Sequence, residues 1–157
     1  MTVHIPAGSQ TPVEVTLDGL SFTGKSDTSL QFAVDSPDLW SPNSPTLYNF
    51  TVNLGDDEVK SYTGFRTISK AEVNGIVSPI INGEPISMFG TLDLGFWPDG
   101  IYTAPNRKAM VYDLKVSKKL NFKMVRKHIK VDPALFYQAC DQLKIEKADW
   151  LIGWYPL

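Results

Sequence analysis

The sequence predicts an α+β chain in two parts, an antiparallel β-sandwich followed by parallel β-α units. Three observations carry this. Over the first 70 residues, short runs alternate apolar and polar side chains with period two, the pattern of antiparallel strands with one wet face. Turn formers separate these runs at the spacing of a sandwich. After about residue 80 the order becomes strand, helix, strand, helix, which implies parallel units.

The first alternating run is 13–17, with Val13, Val15 and Leu17 on one face. The second is 30–34, with Leu30, Phe32 and Val34 aligned. The run 48–54 is the cleanest: Tyr48, Phe50, Val52 and Leu54 face one way, and Asn49, Thr51 and Asn53 the other. Turns are expected at Asp18–Gly19, at Ser26–Asp27, across the proline-rich stretch 36–45, and at 55–57. The run 86–90 is short, apolar and ends in glycine. A long loop rich in aromatics and turn formers is expected over 91–105, with Pro98–Asp99–Gly100 as a turn.

Residues 106–120 read as a helix. Ala109, Tyr112, Val116 and Leu120 step by three or four along one face, with Met110 and Leu114 beside them. Asn121 is the expected stop. A strand is expected over 122–127. A second helix should open with Asp132 as its cap and Pro133 in its first turn. Its apolar stripe is Leu135, Phe136, Ala139, Cys140 and Leu143.

Composition sets the outer limits. The chain has 157 residues, 43% hydrophobic and 20% charged, enough apolar content for a core. Net charge is −2 with both signs interspersed, so neither nucleic acid nor an anionic membrane is expected as a partner. No apolar run approaches the roughly 20 residues of a membrane span, and no basic start followed by an apolar core marks a secretory signal. Asn49–Phe50–Thr51 matches a glycosylation acceptor. Nothing assigns a compartment. Cys140 is the single cysteine, which excludes an intrachain disulfide and a thiolate cluster. On the stripe of a helix it reads as a buried, inert thiol. His4 and His128 are the two histidines, far apart, so no metal site is expected.

A series of motifs then points to a family. It comprises Leu39–Trp40–Ser41–Pro42, Pro45, Leu47–Tyr48, Gly64–Phe65–Arg66, Asn82–Gly83–Glu84–Pro85 and Val125–Arg126–Lys127–His128. In this order and spacing it resembles glycoside hydrolase family 2, over residues 1 to about 143. The resemblance implies an immunoglobulin-like β-sandwich over 1–75, short of its first strands. It implies the first two β-α units of an incomplete (β/α)8 barrel over 76–143. A complete barrel needs roughly 250 residues. The tail 144–157, with Trp150, Trp154 and Tyr155, departs from the family. A frameshift, an unspliced intron or a wrong gene model would produce such a tail; a divergent third strand at 150–155 is the alternative reading.

The resemblance implies a retaining β-glycosidase as the parent, with carbohydrate as its partner and no cofactor. Such enzymes place two carboxylates about 5 Å apart across the scissile bond. The family carries its acid/base glutamate after an asparagine, on a later strand. No Asn-Glu pair occurs in this chain, and none of Glu14, Glu58, Glu72, Glu84 and Glu146 fits either role. The chain is therefore expected to be inactive alone.

A partial sugar site is expected instead. Arg126 and His128 lie two apart at the C-terminal end of a strand, on one face, where barrel enzymes build their sites. The resemblance makes them an arginine supporting the nucleophile region and a histidine touching the sugar. It also places sugar-binding groups on the loop holding Asp93, Phe96, Trp97 and Asp99. There Asp93 would accept from sugar hydroxyls and Trp97 would stack on a pyranose. Trp40, Tyr48 and the 64–66 motif read as structural anchors. A different class of function, a non-catalytic module binding carbohydrate or protein through the sandwich or the Trp97 loop, is the alternative.

Overall fold

The computed structural model describes residues 1–8, 10–143 and 146–147. It is mostly β-sheet, with two helices. The chain divides into two compact units. The first takes Met1–Leu39 with Thr46–Phe65, and the second takes Trp40–Pro45 with the chain from Arg66 onward.

The first unit holds β1 (Thr2–His4), β2 (Pro12–Leu17), β3 (Leu20–Lys25), β4 (Ser29–Gln31), β5 (Tyr48–Leu54) and β6 (Asp57–Thr63). Four of these form an antiparallel sheet in the order β3-β2-β5-β6, and β1 pairs with β4. Asp18 and Gly19 close the β2–β3 hairpin with φ of 47° and 82°. Two positive φ values match the twist of the flanking strands, which is why Asp-Gly serves there. The predicted alternation of 13–17 holds, with Val13, Val15 and Leu17 all buried. Val13, Val15 and Val52 form the core, and Ile5, Leu30, Phe32, Phe50 and Leu54 pack against it. Phe22 stacks on Phe32 with ring centroids 4.0 Å apart. The predicted strand at 30–34 is shorter than its alternation suggests: β4 ends at Gln31, and Phe32 adds backbone bonds to Met1.

The second unit opens with a hairpin, β7 (Ile68–Val73) and β8 (Ile76–Ile81), turned by Asn74–Gly75. Strand β9 (Glu84–Pro85) pairs back on β8 through Asn82–Gly83. Asn82 reaches φ 51° and Gly83 φ 85°, so this Asn-Gly is itself a hairpin turn. A parallel sheet follows: β10 (Gly90–Asp93), α1 (Arg107–Lys119), β11 (Met124–Lys127), α2 (Ala134–Leu143) and β12 (Glu146–Lys147), with strand order β10-β11-β12. The apolar run 86–90 contributes its last residue to β10. Gly90 is required there, because a Cβ would collide with the carbonyl of Met124 across the pair. Strand β12 pairs with Met124 and Val125; the rest of the predicted atypical tail, and the alternative strand at 150–155, lie outside the described residues.

Helix α1 begins as predicted, with Asn106 Oδ1 accepting from the Ala109 amide at 2.9 Å. Its buried face is rotated from the expected stripe. Leu114 is buried and Met110 and Val111 pack beside it, whereas Tyr112 (65%) and Leu120 (61%) are exposed. The helix's own neighbours, Val125 and α2, select the narrower Met110–Leu114 row. On α2, Phe136, Ala139 and Cys140 are buried as expected, but Leu135 is exposed and Asp141 is buried. The carboxylate of Asp132, expected as the helix cap, instead meets two lysines. Among the described residues no helix is long and apolar enough to cross a membrane.

Candidate functional site

The candidate site lies at the carboxyl ends of β10 and β11. Residue alternation gives the two faces of this sheet different surroundings. On the helix side, Thr91, Asp93, Val125 and Lys127 line a cavity of about 220 Å³ with Met110, Leu114 and Phe136. On the opposite face, Leu92 is paired with Arg126, and both are exposed. His128 is exposed as well, and its amide donates to the Asp93 carbonyl at 3.1 Å.

The four residues singled out from sequence therefore divide into two pairs. Asp93 and Trp97 line the cavity, whereas Arg126 and His128 are absent from its walls. Asp93 is already engaged. Its Oδ2 accepts from Lys127 Nζ at 2.9 Å, and its Oδ1 accepts from the Gly95 amide at 2.6 Å.

Around Asp93 is a charged cluster that sequence reasoning missed. The Lys127 side chain is 1% exposed and pairs with both Asp93 and Asp132. Its ammonium lies 4.6 Å from the Phe136 ring centroid. Burial pulls the Lys127 pKa down, but hydrogen bonds and charge from Asp132 and Asp93 outweigh it, leaving the group above the ordinary lysine value. Lys130 pairs with Asp132 at 3.0 Å and donates to the carbonyls of Gly95 at 2.9 Å and Tyr102 at 2.7 Å. Gly95 has φ +65°, and a Cβ there would fall 2.8 Å from Lys127 Nζ and 2.7 Å from Lys130 Nζ. The cluster thus ties the loop after β10 to the loop after β11. One signal was available in the sequence: Lys127 shares its strand face with Val125, which packs against helices.

Three of the motifs meet elsewhere in the second unit. Trp40 is 1% exposed, and its Nε1–H donates to the Asp141 carbonyl at 3.2 Å. The Arg66 guanidinium lies 4.5 Å from the centre of the Trp40 ring and 3.7 Å from Asp141 Oδ1. Asn82 Nδ2 donates to the Trp40 carbonyl at 2.9 Å, while its Oδ1 accepts from Thr67. Trp40, Arg66 and Asn82 are thus held together by packing and hydrogen bonds. In the first unit, Tyr48 Oη accepts from the Asp38 amide at 2.8 Å, and its ring meets Phe65 edge-on.

Comparison with known proteins places this arrangement. Residues 2–66 match the profile of Glycosyl hydrolases family 2. A β-galactosidase of Pseudoalteromonas haloplanktis is 32% identical over 133 residues, which cover 80% of this chain and 12% of that protein. Among solved structures, a family 2 β-galacturonidase from Eisenbergiella tayi bound to galacturonate superposes with TM-score 0.71 at 24% identity, over 88% of this chain and 26% of that one. Apo Bacteroides uniformis β-glucuronidase 3 superposes with TM-score 0.73 at 21% identity, over 87% and 19%. At these identities the two structures speak for the fold alone. The chain spans 12% of the length of the curated relatives it matches. The profile match over residues 2–66 and the sequence relatives agree with the resemblance that the motif series carries: the chain belongs to glycoside hydrolase family 2.

Proposed function

We propose that this chain is part of a retaining β-glycosidase and supplies substrate contacts without the catalytic carboxylates. In this reading residues 1–75 form an immunoglobulin-like sandwich, and residues 76–143 begin a (β/α)8 barrel. The observation that carries it is the parallel order β10-β11-β12 with helices between the strands. That order puts α1 and α2 on one side of the sheet and leaves Leu92 and Arg126 exposed on the other. In a closed barrel the face away from the helices is the interior, and strand carboxyl ends form the site. Arg126 and His128 would then contact the sugar. Asp93, neutralised by Lys127, contributes by holding its loop, and Trp97 contributes from that loop. Carbohydrate is the partner; β-galactosides and β-glucuronides are the substrates that the relatives' names suggest.

Chromogenic β-galactosides and β-glucuronides test this. The chain alone should release no chromophore, yet bind methyl β-D-galactopyranoside or methyl β-D-glucuronide by NMR titration, with at least ten-fold weaker binding in Arg126→Ala. Turnover by the chain that disappears in Arg126→Ala would overturn the division of roles. Sugar binding indifferent to Arg126→Ala and His128→Ala would remove both residues from the site.

A further inference from the structure

We propose that Phe96 and Tyr102, rather than Trp97, form the surface on which a β-linked pyranoside stacks; the proposal rests on the glycosidase reading above and names the residues that grip the sugar. Residues 97–101 fold into a miniature hairpin. The Trp97 amide donates to the Ile101 carbonyl at 2.9 Å, and the Ile101 amide donates back at 3.0 Å. This closes the Pro98–Asp99–Gly100 tip and sets the residues just outside it, Phe96 and Tyr102, side by side. Their ring centroids are 5.0 Å apart with planes inclined at 46°. Trp97 is the less exposed of the neighbours and lines the cavity together with Phe96.

Phe96 is 49% exposed and Tyr102 59%. Two adjacent aromatic rings left in water, with Ile101 exposed beside them, mark a contact surface. Their inclined planes form a shallow V, which suits a saturated ring with one apolar face and hydroxyls at its rim. The surface is also preorganised. Lys130 donates to the carbonyls on both sides of the hairpin, at Gly95 and Tyr102, and is itself held by Asp132. A loop fixed before binding loses little entropy on binding. Position agrees with chemistry: the hairpin follows β10 and His128 follows β11, so both stand at the same end of the parallel pair, outside the carboxyl ends of the strands, where open parallel sheets bind ligands.

The experiment uses the full chain and methyl β-D-galactopyranoside or methyl β-D-glucuronide, with glycerol as a control that has hydroxyls but no ring. Phe96→Ala and Tyr102→Ala should each weaken the wild-type affinity at least five-fold, Tyr102→Phe should retain it, and glycerol should not compete. Thermal melts within a few degrees of wild type establish that the variants are folded; Phe96→Leu, which keeps apolar bulk without a ring, serves if they are not. Weakening in Arg126→Ala but in neither hairpin variant would overturn the stacking surface and leave the glycosidase reading standing. Weakening in the hairpin variants alone would keep the surface and remove Arg126. No sugar binding by the wild-type chain overturns the proposal, as does loss of self-association, in place of sugar affinity, in the hairpin variants.

Discussion

Lys127 occupies a strand position facing two helices, where an aliphatic side chain would ordinarily pack. A buried lysine persists there because Asp93 and Asp132 both reach it. Removing one partner of a buried ion pair strands the others and costs about 3–5 kcal/mol. Lys127→Met leaves two carboxylates facing each other, though Asp93 keeps some access to water. Denaturant titration should therefore show a loss of about 2–3 kcal/mol. A neutral or stabilising result would show that the cluster contributes nothing net. The pH dependence follows from the direction of the shift. The folded-state pKa of Lys127 lies above the ordinary lysine value of 10.5 that it has when unfolded. Its contribution is fully present below that value and is lost as pH rises through the folded pKa. Thermal melts should thus show this contribution intact from neutral pH to about pH 10 and declining above, with the alkaline decline reduced in Lys127→Met. The residues forming this cluster were individually visible in the sequence, but their convergence was not. Asp93 and Lys127 are neighbours only through the parallel register of β10 and β11.

At the scale of elements, local chemistry decided most of what was legible. The alternation of Val13, Val15 and Leu17, the Asp18–Gly19 turn and the Asn106 cap all act within a few residues, so sequence suffices to find them. Helix faces were harder. Tyr112 and Leu120 have the right spacing for a stripe, yet they are exposed because neighbouring elements select which apolar row is covered. Strand β10 begins at Gly90 for a reason that likewise lies in its partner: the Met124 carbonyl approaches too closely for any side chain. Gly90→Ala should force these strands apart and cost about 2 kcal/mol or more. Hydrogen exchange should then rise along β10 and β11. Unchanged protection there would show that the pair adjusts freely.

At the scale of the whole chain, the two units each hold a core. One is built on Val13, Val15 and Val52, the other on Leu114, Val125, Phe136, Ala139 and Cys140. Within the second, β10 stands at the edge of the parallel sheet with Leu92 53% exposed. An exposed edge with an apolar side chain is a template for pairing with another chain. Light scattering at rising concentration should show self-association of this chain, and Leu92→Lys should suppress it, since a charge at an edge strand discourages pairing. Association equal in the two proteins would place the sticky surface elsewhere, with Ile76 and Val77 at the β7–β8 turn as the next exposed apolar pair.

By itself the sequence determined the family, the change from antiparallel to parallel organisation, and that no Asn-Glu pair occurs in these residues. These follow from motif order, hydrophobic period and composition, all properties of the linear chain. Tertiary structure alone decided which candidate residues share a surface. Pairing β10 with β11 buries Lys127 against Asp93 and exposes Arg126 beside Leu92. The bridge between Trp97 and Ile101 closes a hairpin that sets Phe96 and Tyr102 side by side with both rings exposed. Each outcome depends on which strand, and which backbone carbonyl, comes to lie opposite, and that partner is remote in sequence or set by a turn whose closure the sequence pattern does not state.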